Sequence, residues 1–252
     1  MALTLRSSPA GSMSHLSLQS PDHASMIPKA MPKPETYDEP LDPKTCEFKL
    51  QGAFIYADNV PKYQLSERLT RSGKPMKLSI RRLMASESTI PPAQIKYDDE
   101  GTMYHMQVIQ MFGELVKFGG REMRGHRAST LGFVALETGT TILGTKFTKF
   151  WQLTRNRGRD SLRPENEARL QRHGYQPDTE WDQKLLFVVK KGIWEDDVGK
   201  ELGKDRGMDF QIREGAVGVD ERWKRDLLLS CWIWRMWILE GLRLEEGADG
   251  VL

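Results

Sequence analysis

The sequence predicts a mainly β protein: a closed or nearly closed antiparallel β-barrel of roughly a dozen strands around one C-terminal apolar helix. Two observations carry that expectation. Residues 221–240 form one long helical run with no Gly or Pro inside it. The segment before it, from Cys46 to Ile212, breaks into short alternating or apolar stretches separated by Gly, Asn, Asp and Pro. A helix that is apolar on every side needs a wall on every side. A closed sheet supplies that wall and removes exposed strand edges.

The helix is the clearest element. Thirteen residues, Leu227 to Leu239, are apolar or small apart from Arg235, and four of the seven tryptophans (Trp223, Trp232, Trp234 and Trp237) lie in or just before them. Trp223, Leu227, Ser230, Trp234 and Trp237 share one face at helical spacing, and Leu228, Cys231, Trp232 and Leu239 cover others. Trp223, Leu227, Trp234 and Trp237 are therefore the expected core contacts. Asp220 is a fit N-cap, Glu221 suits the positive end of the helix dipole, and Gly241 is a natural stop. At about 1.5 Å per residue the apolar part spans about 20 Å, too short to cross a bilayer. Arg235 reads as a side chain that reaches an end of the core or pairs with a carboxylate, with a ligand contact as the alternative.

Length and composition set the frame. The 252 residues suffice for one large domain, the net charge is +2, and 29% of residues are charged. Two cysteines, Cys46 and Cys231, exclude a disulfide framework and a four-cysteine zinc site. Residues 1–44 read as a Ser- and Pro-rich disordered tail with no secretory h-region. Residues 45–242 read as the barrel domain and 243–252 as a polar tail. Within residues 1–44, the stretch PKPETYDEP offers a segment that a protein partner could take.

The strands follow in order. Residues 46–56 read as one strand, with a turn at Asp58, Asn59 and Pro61. Tyr63 to Leu65 is a short strand, and Arg71 to Pro75 is a turn. Met76 to Leu83 alternates, placing Met76, Leu78 and Ile80 on one face. Ser86 to Pro92 is loop. Asp98 to Gly101 is a hairpin turn signal between Ile95–Tyr97 and a long strand from Thr102. Short strands fit residues 114–118, 130–136, 140–143 and 146–153, and residues 164–174 suit a short helix. Trp181 to Lys191, with its LLFVV core, reads as an inner strand. Gly192 to Trp194 and Met208 to Ile212 are weaker ones.

Three short segments, Tyr63–Gln64–Leu65–Ser66, Leu69 to Pro75 and Leu78 to Leu83, resemble the opening of fungal domains of the tubby-like and LURP-one-related superfamily. That resemblance implies a β-barrel enclosing a C-terminal hydrophobic helix. It transfers no binding residue, because the phosphoinositide-binding segments of tubby proteins have no matching motif in this chain.

Function is carried by charge distribution. Between Lys117 and Arg172 twelve basic residues face five acidic ones, an excess of seven in a chain of net charge +2. Arg121, Arg124, Arg127, Arg155, Arg157, Arg159 and Arg163 are the candidate anion-binding residues. The planar guanidinium binds phosphate oxygens in pairs, and the GGREMRGHR run offers backbone that can approach an anion. The expected partner is an anionic membrane surface or a phosphorylated ligand, which makes the protein cytoplasmic or nuclear and peripheral to membranes. The alternatives are a protein-binding adaptor barrel and, third, an enzyme or carrier with a pocket inside the barrel. Nucleic acid is the poorer anionic candidate, since no zinc-finger, helix-turn-helix or RNP pattern is present. No catalytic motif, metal-ligand spacing or cofactor fingerprint occurs, so neither metal nor cofactor is expected.

Overall fold

The computed structural model describes residues 46–108, 121–155, 181–218 and 221–244, all within one unit spanning residues 37–252. Twelve strands close into an antiparallel barrel in which every strand pairs with its neighbours in sequence and β1 pairs with β12. The strands are β1 (Glu47–Gln51), β2 (Phe54–Ala57), β3 (Val60–Leu69), β4 (Pro75–Arg82), β5 (Thr102–Val108) and β6 (Arg121–Gly125). They continue as β7 (Phe133–Thr140), β8 (Lys146–Arg155), β9 (Trp181–Lys190), β10 (Ile193–Glu195), β11 (Glu201–Arg206) and β12 (Asp209–Ile212). A short helix α1 (Ala85–Ser88) sits between β4 and β5, and α2 (Arg222–Leu239) follows β12.

Alternation decides which side chains fill the barrel. In β1, Phe48 and Leu50 are buried while Glu47, Lys49 and Gln51 are exposed. Leu78 and Ile80 of β4, Tyr104 and Met106 of β5, and Val134 and Leu136 of β7 join the same core, while Ser79 and Arg81 of β4 and Ala135 of β7, which alternate with them, are buried as well. Met76 shares the parity of Leu78 but stands at the rim and is exposed. Pro61, which has no amide to donate, lies at an irregularity in the β2–β3 ladder opposite Tyr56. At Gly203 the wall leaves no room for a side chain: a Cβ there would sit 2.3 Å from the Gln211 carbonyl oxygen.

The helix fills what the strands enclose. Leu227, Leu228, Leu229, Cys231, Trp232, Ile233 and Trp234 are fully buried. An aromatic chain ties them to the wall: Trp232 stacks on Phe210 at 5.3 Å, Phe210 meets Trp194 edge-on at 5.4 Å, and Phe150 lies between Trp194 (5.4 Å) and Trp234 (6.0 Å). A smaller apolar cluster of Ala135, Leu153, Phe133, Trp151 and Trp181 forms separately on β7–β9.

Ion pairs fix the helix at both ends. At its start Asp226 accepts a hydrogen bond from the Tyr63 hydroxyl at 2.8 Å and pairs with Arg82. At its end Arg235 pairs with Asp205 at 2.7 Å and Glu240 at 3.0 Å, so it reaches carboxylates at the rim. Trp237 donates its indole N–H to Glu67 at 2.7 Å, and Trp194 donates to Asp205 at 2.9 Å. Gly241 takes a positive φ of 71° and ends the helix.

Several sequence expectations change. Trp223 is not a core residue: it lies in the first turn of α2 with 40% of its surface exposed, before the helix is enclosed. The helix cap is Glu221, with Asp220 outside the described residues. Residues 46–56 form two strands, because Gly52 takes φ 56° and turns the chain. Asp98 to Gly101 is a turn but not a hairpin, since residues 95–97 are not a strand and β5 pairs with β4. The loop at 86–92 contains most of α1, and residues 140–143 are the end of β7 and its turn. The GGREMRGHR run, expected to offer backbone to an anion, contains β6, whose backbone is paired with β5 and β7. The strand expected at 114–118 and the helix at 164–174 lie outside the described residues.

Candidate functional site: the two mouths of the barrel

Consecutive antiparallel strands place alternate connections at opposite ends of a barrel. The turns β1–β2, β3–β4, β7–β8, β9–β10 and β11–β12 therefore share the mouth at which α2 ends. The connections β2–β3, β4–β5, β6–β7 and β10–β11 share the mouth at which α2 begins.

This topology distributes the arginines that the sequence grouped. Arg121 opens β6, opposite Val108, at the helix-end mouth. Arg124 stands on the outer wall, where its guanidinium binds the buried Glu122 carboxylate at 2.8 Å and lies over the Phe133 ring at 5.5 Å. Arg127, just after β6, donates to the Glu100 carbonyl at 3.2 Å at the helix-start mouth. The backbone of Arg155 ends β8 at that same mouth. Arg157, Arg159 and Arg163 lie outside the described residues. Sequence proximity thus overstated the cluster, because antiparallel strands carry neighbours in sequence to opposite ends.

What the sequence did not show is the chemistry of the helix-end mouth. Arg71, Lys74, Lys146, Lys191 and Arg206 are exposed on its turns and strand ends. None of the five has an ion-pair partner among the described residues. Among the described residues the exposed acids there are Asp209 and Glu240, and Glu240 is paired with Arg235. Of the nine exposed large apolar side chains among the described residues, six also belong to this mouth: Leu69, Met76, Ile142, Leu143, Met208 and Leu239. At the helix-start mouth the exposed charges are mixed: the acids Asp58, Glu100, Asp197 and Glu214 stand among the bases Lys96, Lys200 and Arg213. The signal was in the sequence, scattered over four turns that only the up-and-down topology brings together.

The arrangement nearest to a catalytic one is on the outer wall of β4–β6. The Ser79 hydroxyl and His105 Nδ1 are 2.7 Å apart, and the His105 ring meets the His126 ring edge-on with centroids 4.0 Å apart. A serine nucleophile needs a base that accepts a proton near neutral pH. Here burial, then His126, then Lys77 push His105 down to about 4. His126 is pushed down as well, by its burial, Lys77 and Arg124. The pair therefore stays neutral at pH 7 and is structural. In the unfolded chain an imidazole protonates near about pH 6.5, well above His105 in the fold. Between those values the unfolded chain binds more protons, so stability falls as pH falls through that window. Thermal melts from about pH 7 to about pH 4 are expected to show a falling Tm, and His105→Asn to flatten the decline. An unchanged slope in His105→Asn would remove the histidine pair as its cause.

Among the described residues no group of His, Cys, Asp and Glu could hold a metal ion, and no helix is long and apolar enough to cross a membrane. No family model, curated protein or solved structure matches the chain.

Proposed function

We propose that this protein is a non-enzymatic docking module for anionic phospholipid surfaces, peripheral to cytoplasmic or nuclear membranes, and that it meets them with the helix-end mouth. The observation that carries this reading is the set of five exposed basic side chains on the turns of one mouth, with exposed apolar side chains between them. Each Lys or Arg near an anionic surface contributes about 1 kcal/mol, so five acting together give useful affinity without a pocket. The barrel interior is filled by its own helix, which favours a surface function over a carrier. The likeness of residues 63–83 to openings of the tubby-like and LURP-one-related superfamily is in keeping with such a module, and membership of that superfamily is part of the proposal.

The runner-up surface is the helix-start mouth, where Arg127 and Arg155 stand and from which Arg157, Arg159 and Arg163 follow in sequence. Co-sedimentation with phosphatidylcholine vesicles, with and without phosphatidylserine or phosphoinositide, separates the readings. The wild-type protein is expected to bind the anionic vesicles alone, and less well as salt rises. The variant Arg71→Glu/Lys74→Glu/Lys146→Glu/Lys191→Glu is expected to lose binding more than about 100-fold, from about 1 kcal/mol or more per reversed charge. Arg155→Glu/Arg157→Glu/Arg159→Glu is expected to keep it. The opposite pattern would keep the function and move it to the other mouth. Failure of the wild-type protein to bind at low salt would sink the reading.

A further inference from the structure

The β7–β8 turn carries two large aliphatic side chains with nothing over them among the described residues. Ile142 and Leu143 are 106% and 92% exposed, the highest values among the exposed large apolar residues described. A pair of this size held in water has a cause other than folding, since neither side chain packs on the barrel. The turn that holds them is closed internally. Thr141 donates its amide to the Thr145 carbonyl at 2.8 Å, Gly144 donates to the Thr141 carbonyl at 2.8 Å, and the Thr145 amide donates to the Thr141 hydroxyl at 3.1 Å. Gly144 takes φ 78°, the left-handed position the turn requires. These bonds pair backbone groups of Thr141, Gly144 and Thr145, which flank the tip, so those groups are not stripped of water partners when it enters an apolar medium. In the stem below, the Phe147 ring packs on Gly139, where a Cβ would sit 2.4 Å from its Cζ, and the Lys149 ammonium stands 4.9 Å from the ring centroid.

We infer that Ile142 and Leu143 form a wedge that inserts into the headgroup–acyl boundary of an anionic bilayer, oriented with the helix-end mouth toward the membrane. The inference rests on the docking reading and adds the group that penetrates. Charge complementarity selects a membrane over a protein groove. Lys146 follows the tip in sequence, Lys191 stands at the neighbouring β9–β10 turn, and Arg71, Lys74 and Arg206 occupy other turns of the same mouth. The remaining exposed apolar residues described at that mouth lie on the β3–β4 hairpin (Leu69 and Met76), the β11–β12 turn (Met208) and the end of the helix (Leu239), between those charges. A planar, fluid, negatively charged acceptor accommodates such a spread; a single pocket accommodates one tip.

The two contributions respond differently to salt, because screening weakens the basic collar and leaves apolar insertion intact. In the full chain, Ile142→Asp/Leu143→Asp is expected to keep its Tm and to bind phosphatidylserine vesicles less tightly by about 10–100-fold at moderate salt, from the loss of two aliphatic side chains. An environment-sensitive fluorophore on Leu143→Cys, in a Cys46→Ser background with Cys231 buried in the core, is expected to shift to the blue on binding and to be quenched by lipid-borne quenchers. Vesicle binding by the wild-type protein that survives Ile142→Asp/Leu143→Asp undiminished would overturn the wedge while leaving docking intact. A bound probe that stays in water would do the same and assign the tip to a protein partner. No wild-type binding to either vesicle would overturn docking itself and the wedge with it.

Discussion

Replacing Trp234 by alanine lowers the stability of the fold by about 3–5 kcal/mol. The side chain is fully buried on the helix and lies 6.0 Å from Phe150, which stacks on Trp194 at 5.4 Å. Removing the indole leaves a void in a closed barrel whose wall strands are hydrogen-bonded on both sides, so little of it can collapse. Trp223→Ala is the internal control. Its indole is 40% exposed in the first turn, and truncation there is expected to change stability by about 0.5 kcal/mol or less. Urea unfolding monitored by far-UV circular dichroism measures both. Equal midpoints for Trp234→Ala and the wild type would mean that the helix does not fill the barrel.

Asp226→Ala is expected to cost a similar amount, about 3–5 kcal/mol, for an electrostatic reason. Asp226 is the shared acceptor of Tyr63 and Arg82, and burial pushes its carboxyl up against the opposing pull of Arg82 and the Tyr63 hydroxyl. Its loss removes a buried carboxylate partner of Arg82 and leaves the fully buried Tyr63 hydroxyl without its acceptor. Replacing all three groups by apolar ones of similar shape, Tyr63→Phe with Arg82→Met and Asp226→Leu, is expected to recover most of the loss. A triple variant as unstable as Asp226→Ala would show that the network supplies net stability rather than compensating its own burial. The other end of the helix, where Arg235 binds Asp205 and Glu240, is more exposed and is expected to respond less.

The helix and the closed barrel were legible because both rest on periodicity. Leu227 to Trp237 is apolar on every side, and Phe48, Leu50, Leu78 and Ile80 alternate with polar residues, which is the pattern a one-sided buried strand writes into a chain. Trp223 was misplaced because helical phase alone says which face a residue is on, and not whether the wall reaches that turn. Strand β11 was missed because ELGKDR has one large apolar residue, Leu202, beside Gly203, whose lack of a side chain is what lets β12 approach. The surface was legible in composition and not in position. Arg121 and Arg127 are six residues apart in sequence yet belong to opposite mouths, while Arg71 and Arg206 share one. Arg124 is taken up by Glu122, a carboxylate two positions away on the same face of β6.

The order of the chain also has a consequence for synthesis. Every strand precedes the helix that fills the barrel, and β1 and β12, which close the wall, stand at opposite ends of the strand order. A ribosome adding 5–20 residues per second takes about 10–40 s to travel from β1 to the end of α2. During that interval the nascent sheet carries an apolar inner face with nothing to lay against it, and its first strand waits for a partner made last. Local hairpins such as β7–β8 form early, but the enclosed state arrives only after release of the final helix, in one late and non-local step. The nascent chain is therefore a natural client for chaperones that cover apolar strands, and a stop codon before α2 yields a sheet with no core.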